Sequence, residues 1–135
     1  MADRTLLRLS ATLLFVGVLF SFLVGLLHAA SGTPNNHTAE FAVYAHSADW
    51  TAVHLGQFIG IAVIIAGLLV LFLALNVLHE TAGWTARFAA VSAVVALALY
   101  GVLQAVDGVV LKQAVDAWAS APAAELATRF ASLAT

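Results

Sequence analysis

Three long apolar segments dominate the pattern of hydrophobic and polar positions along the chain. They run from about 6 to 30, from 50 to 78 and from 84 to 111, and few charged residues interrupt them. Each is longer than the roughly 20 residues that an α-helix needs to cross a bilayer. Backbone groups in lipid must be bonded within their own segment, which favours helices. The pattern predicts an all-α transmembrane bundle of three spanning helices, forming a single membrane domain.

The segments outside these spans are more polar. The connection 31–49 begins with turn-forming residues, and its second half, around 41–48, predicts a short interfacial helix. After Ser120, apolar residues recur at helical spacing and predict a C-terminal amphipathic segment at about 121–134. Two interpretations of that segment stay open: an interfacial helix, or a fourth span that is cut short.

Composition supports lipid as the solvent of this chain. Hydrophobic residues make up 63% of it and charged residues 9%, whereas a soluble domain has about a quarter charged. The net charge of −2 argues against a nucleic-acid partner. There is no cysteine, which excludes disulfides, thiolate metal sites and a cysteine nucleophile. Abundant alanine and a single lysine indicate a bacterial source, so we expect the bacterial inner (cytoplasmic) membrane.

The placement of positive residues predicts the orientation. Arg4 and Arg8 precede the first span and Arg87 follows the short turn before the third, whereas 31–49 contains no Lys or Arg. Positive residues favour the cytoplasmic side, which puts the N-terminus inside and both the 31–49 loop and the C-terminus outside. Lys112 then lies outside, as an exception. A cleaved signal peptide is the alternative for the first segment, but its apolar run exceeds the 7–15 residues typical of such a core.

Polar residues collect near the predicted outer ends of the spans. Tyr100, Gln104 and Asp107 lie three and four residues apart and share one helical face. Because consecutive spans are expected to be antiparallel neighbours, polar residues of all three can converge in the outer leaflet. The ligand- or proton-binding candidates are His28, His54, Gln57, Tyr100, Gln104 and Asp107.

Asp107 decides how this cluster is interpreted, because a charged side chain inside a membrane is usually buried against protein or paired. It is solvated in the headgroup region, or part of a hydrogen-bonded packing cluster, or part of a working ligand, proton or metal site. Asp107 with His54 and Gln57 would suit a proton relay. His28 and His54 are candidates for binding haem b or a divalent metal, and interfacial histidines with a packing role are the alternative.

Small residues follow helical spacing along the spans and predict close helix packing. Most such motifs act within one chain, although an oligomer interface is the alternative. The predicted packing positions are Gly17, Ser21, Gly25, Gly56, Gly60, Gly67, Gly101 and Gly108.

A family resemblance lies in "DWTAVHLGQFIG" and "ALYGVLQAVDGVVLKQAVDAWASAP". Over about residues 49–130 the chain resembles uncharacterised bacterial multispan integral membrane proteins of the domain-of-unknown-function type. The resemblance implies a helical membrane fold but no reaction. Such proteins generally continue with further spans after the segment equivalent to "ELATRFASLAT", so the resemblance implies a shortened relative, a fragment or a subunit that a partner completes.

These features favour a non-enzymatic membrane module: a packing or assembly subunit, either a homo-oligomer or part of a larger membrane complex. The alternatives are an outer-leaflet site for a small ligand, metal, haem or proton, and a transport half-unit. No nucleophile elbow, phosphate loop or HExxH pattern is present, so an enzyme is the least favoured class.

Overall fold

The computed structural model describes residues 3–28, 36–75 and 80–133, without the side chains of Glu80, Phe130, Ser132 and Leu133. The described part of the chain is all-α, as predicted, and three of its helices are long and apolar enough to cross a membrane. The predicted span ends at 29–30 and 76–78, and the first residues of the 31–49 connection, lie outside the described residues.

Six α-helices follow one another in the described part of the chain. They are α1 (Arg4–Gly25), α2 (His37–His46), α3 (Trp50–Leu75), α4 (Glu80–Ala105), α5 (Lys112–Ala119) and α6 (Leu126–Leu133). Between α4 and α5 the helix does not stop but widens into a π-helical segment, Val106–Leu111. The third apolar helix therefore extends past residue 111, where the sequence pattern ends the span, to Ala119.

Local capping explains where the first two helices begin. The Asp3 carboxylate accepts hydrogen bonds from the backbone N–H groups of Thr5 and Leu6, which satisfies donors that the first turn of α1 leaves open. Asn36 does the same for Ala39 at the start of α2. The backbone N–H of Asp3 also donates to the carbonyl of Ala74 at 3.0 Å, so the start of α1 lies beside the end of α3.

Helix α3 is the centre of the bundle. It packs antiparallel to α1 along most of its length and contacts α4 at fewer positions, while α1 and α4 hardly touch. At one end α2 lies against α5: the Lys112 ammonium donates to the Ala45 carbonyl at 2.9 Å and to Asp116 at 2.6 Å. We call this the α2 end of the molecule.

Small residues form the α1–α3 seam. A Cβ atom added at Gly17 would lie 2.7 Å from Cγ1 of Ile64, and one added at Gly60 would collide with Oγ of Ser21. Ser10 is buried there and donates its hydroxyl hydrogen to the Gly67 carbonyl at 2.8 Å. Because apolar burial gives little attraction between helices in lipid, such close backbone contact is the main source of affinity between α1 and α3.

The other predicted packing positions have different surroundings. Gly56 faces Val24 across the same seam, whereas Gly101 and Gly108 contact α3 from the other side, against Phe58 and His54. Gly25 lies off the seam, since a Cβ atom added there would meet nothing within 4 Å. The glycine face of α3 is thus occupied by α1 and is not open to a second copy of the chain.

Candidate functional site

His54 is the buried centre of the α2 end. It lies one turn after the start of α3, and only 2% of it is exposed. Its Nδ1 lies 2.8 Å from the carbonyl oxygen of Trp50. A carbonyl only accepts hydrogen bonds, so Nδ1 must carry a hydrogen. That bond fixes the ring and directs Nε2 away from α3.

Asp107 faces that second nitrogen. Its Oδ2 lies 3.1 Å from Nε2 of His54, and its side chain is 42% exposed on the far side. Since Nδ1 already has its hydrogen, one further proton is needed between Nε2 and Oδ2. It belongs to an imidazolium beside a carboxylate, or to a carboxylic acid beside a neutral ring. Without it, two lone pairs would face each other, so this geometry contains one exchangeable proton.

The π-helical segment brings the two residues together. Its wider turns present backbone carbonyls to α3: Trp50 Nε1 donates to the Asp107 carbonyl at 2.8 Å and Thr51 Oγ1 to the Gly108 carbonyl at 2.7 Å. Such segments are rare and often occur at functional sites. Gly108 makes the approach possible, because a Cβ atom there would lie 2.5 Å from Cβ of His54.

Two glutamines lie beyond the pair, toward the middle of the helices. Gln104 Nε2 and Gln57 Oε1 are 3.5 Å apart, at the outer limit of a hydrogen bond. Oε1 of Gln104 is buried with no hydrogen-bond partner. Gln104 also lines a groove of about 310 Å³ between α3 and α4, whose wall includes Leu55, Phe58 and Val109.

Aromatic rings from three parts of the chain surround His54. The Trp50 ring centroid lies 4.4 Å from that of Tyr44 and 4.6 Å from that of His54. The His28 ring lies 5.2 Å from both His54 and Trp50. Burial raises the pKa of the Tyr44 phenol, and the nearby carboxylates of Glu40 and Asp107 raise it further. The Tyr44 phenol therefore stays neutral beside the site.

The predicted site residues are brought together to different degrees. His54 and Asp107 are paired, the His28 ring lies tilted beside the His54 ring, and Gln57 and Gln104 lie close to each other. Tyr100 is partly buried on α4, and within the described residues no hydrogen bond joins it to the pair.

Haem and metal ligation do not fit these residues. Both ring nitrogens of His54 are engaged, by the Trp50 carbonyl and by Asp107. A metal held between His28 and His54 would require His54 to give up one of those bonds. In the described ranges, no group of three or more His, Asp or Glu side chains is arranged to hold a metal ion.

Sequence reasoning missed several members of the site. Tyr44, Trp50 and Thr51 supply the rings and side-chain donors around the pair. The position of Trp50 at the start of a span predicts no more than a membrane interface, because an indole N–H there usually faces headgroups. The one available signal was spacing: Trp50, Thr51 and His54 lie within one turn at the start of α3.

Comparisons with family models, with curated proteins and with solved structures find no match for this chain. Functional inference rests on the chemistry of the α2 end itself.

Proposed function

We propose that this chain is a non-enzymatic module of the bacterial inner membrane, and that it responds to protons through the His54–Asp107 pair. The observation that carries the proposal is the 3.1 Å contact between Nε2 and Oδ2, made by a ring whose Nδ1 is already hydrogen-bonded. The placement of Arg4, Arg8 and Arg87 supports an orientation with the N-terminus inside and the α2 end outside.

The proton controls how α4 packs on α3. While it is bound, the pair links the two helices with a charge-assisted or strong neutral hydrogen bond. When it leaves, attraction is replaced by lone-pair repulsion at a buried ring, and the contact loosens. The exposed side of Asp107 lets protons exchange with the outer surface without opening the bundle. Outside pH thereby sets the strength of α3–α4 packing.

The test uses nitrogen NMR of histidine-labelled protein in nanodiscs. In the wild type, we expect the His54 Nε2 signal to change with pH, while Nδ1 stays protonated. Asp107→Asn supplies an amide N–H that donates to Nε2, so it keeps the contact without the exchangeable proton. We expect its His54 signal to be independent of pH and to match a neutral ring.

The matched control is Asp116→Asn, because Asp116 pairs with Lys112 and does not contact His54. It should leave the His54 titration as in the wild type. The same pH response in Asp107→Asn and the wild type would contradict the proposal, as would a His54 ring protonated only at Nε2.

A second candidate function is assembly with further helices, and the exposure of α4 supports it. In its most apolar stretch no residue is buried within the chain, and α1 hardly touches it. We propose that this apolar stretch of α4 contacts another copy or a larger membrane complex. Lipid then surrounds the rest of the bundle. The grooves between α3 and α4 are lined mainly by apolar side chains, which gives little support to a transport half-unit.

Cross-linking in native membranes tests assembly directly, since the chain has no cysteine of its own. Val95→Cys on α4 and Val18→Cys on α1 replace apolar residues of similar exposure, 51% and 57%. If α4 is the contact face, Val95→Cys forms disulfide-linked dimers at low oxidant and Val18→Cys does not. Equal yields from both variants would indicate random collision and remove the assembly role of α4.

A further inference from the structure

The groove between α3 and α4 contains an unsatisfied acceptor. Oε1 of Gln104 is buried and receives no hydrogen bond, and Gln104 belongs to the groove wall. A buried polar atom without a partner is unfavourable, and native structures retain few of them. The terminal amide of glutamine turns easily, because its last torsion has a broad energy minimum. A small rotation can present Oε1 to a molecule in the groove.

The rest of the wall limits what that molecule can be. Leu55, Phe58, Gly101 and Val109 supply an apolar lining, and no Lys, Arg, Asp or Glu borders the groove among the described residues. His54 also borders it, but the Trp50 carbonyl and Asp107 already engage both of its ring nitrogens. Thr51, at one end of the groove, already donates to the Gly108 carbonyl. A charged ligand would therefore lose its hydration without gaining a counter-ion. An uncharged molecule with one hydrogen-bond donor fits this lining.

The access route is from the bilayer. Leu55 and Val109 are 57% and 42% exposed at the rim, on apolar helices long enough to span a membrane. The groove volume of about 310 Å³ is at the small end of ligand pockets. It suits a narrow apolar body and not a whole phospholipid.

We propose that the α3–α4 groove binds a lipid-soluble alcohol or phenol, whose hydroxyl group donates a hydrogen bond to Oε1 of Gln104. The hydroxyl satisfies the buried acceptor, and the apolar body lies against Leu55, Phe58 and Val109. The groove receives its ligand laterally from the membrane, which is where such compounds concentrate. This site uses an atom that the His54–Asp107 pair does not, so the two proposals stand or fall separately.

The test compares 1-octanol with its methyl ether, which has the same apolar chain but no donor. Protein in nanodiscs is labelled with nitrogen-15 in the glutamine side chains, which are those of Gln57, Gln104 and Gln113. We expect saturable shifts of the Gln104 amide with the alcohol and binding about 5- to 100-fold weaker with the ether, the range set by one lost hydrogen bond to a buried group. The exposed Gln113 reports nonspecific partitioning and should not shift.

Two variants complete the experiment. Gln104→Leu should lower octanol affinity to that of the ether, measured by partition of radiolabelled octanol into the nanodiscs, while Gln113→Leu should bind octanol as the wild type does. Shifts that grow linearly with both compounds, or equal affinities for alcohol and ether, would overturn the proposal. Either result would indicate that any apolar chain, including a lipid chain, fills the groove. Circular dichroism serves as the folding check, since each variant should retain the helical spectrum of the wild type.

Discussion

Gly17→Leu is expected to separate α1 from α3 and to lower the free energy of unfolding by about 3 kcal/mol, toward the upper end of overpacking effects. The added Cβ atom would lie 2.7 Å from Cγ1 and 2.9 Å from the backbone nitrogen of Ile64. A side chain could turn away, but a backbone nitrogen cannot, so the helices must move apart. That movement also weakens the Ser10–Gly67 hydrogen bond in the same seam.

Gly25→Leu is the matched control on the same helix, since its Cβ atom would meet nothing within 4 Å. Unfolding in mixed micelles, followed by circular dichroism, measures both variants. We expect Gly25→Leu to retain stability within about 0.5 kcal/mol of the wild type. If both leucines destabilise equally, the loss comes from replacing a helical glycine in general, and the seam has no special role.

Gly108→Ala is expected to break the His54–Asp107 contact. The new Cβ atom would lie 2.5 Å from Cβ and 3.0 Å from Cγ of His54. Both atoms are close to the α3 backbone and cannot swing aside, so the π-helical segment must move away from α3. We expect a loss of about 2 kcal/mol, together with a His54 ring signal that no longer depends on the carboxylate.

Gly101→Ala is its control, seven residues earlier on the same continuous helix. Its Cβ atom would lie 3.1 Å from Cε2 of Phe58, the far end of a side chain that can rotate, so the loss should be small. Histidine NMR and unfolding in micelles distinguish the two variants. An unchanged His54 signal in Gly108→Ala would show that the pair tolerates the movement and that Gly108 does not position it.

Much of this fold follows from the sequence, because a lipid environment permits few backbone structures. Apolar length alone predicts the three long helices. Helical spacing predicts that Gly17 and Ser21, and likewise Gly60 and Gly67, lie on packing faces. Matched depth on antiparallel neighbours predicts only that His54 and Asp107 can converge, and the structure places Nε2 and Oδ2 3.1 Å apart.

The geometry of the site could not be predicted in the same way. The carbonyls of Asp107 and Gly108 are bonded by Trp50 and Thr51, which are far away in the sequence, so the residues of the third apolar segment contain no clear signal for a wider turn. Its end at 111 was expected because Lys112 and Gln113 are polar, yet the Lys112 ammonium bonds to the Ala45 carbonyl and the helix continues. Gly25 was included on spacing alone, yet a Cβ atom there would meet nothing within 4 Å, although the adjacent Val24 contacts Gly56 of α3.

The π-helical segment also determines the rotational phase of everything after it. A π-turn corresponds to one residue more than an α-helix needs over the same rise, and each residue turns an α-helix by about 100°. Deleting one residue within Val106–Leu111 would therefore rotate α5 by about that angle relative to α4. Lys112, whose ammonium bonds to the Ala45 carbonyl, would then no longer face α2, and Val115 would leave its buried position. The extra residue that exposes carbonyls to α3 is thus also what aligns the helix surface beyond it with α2.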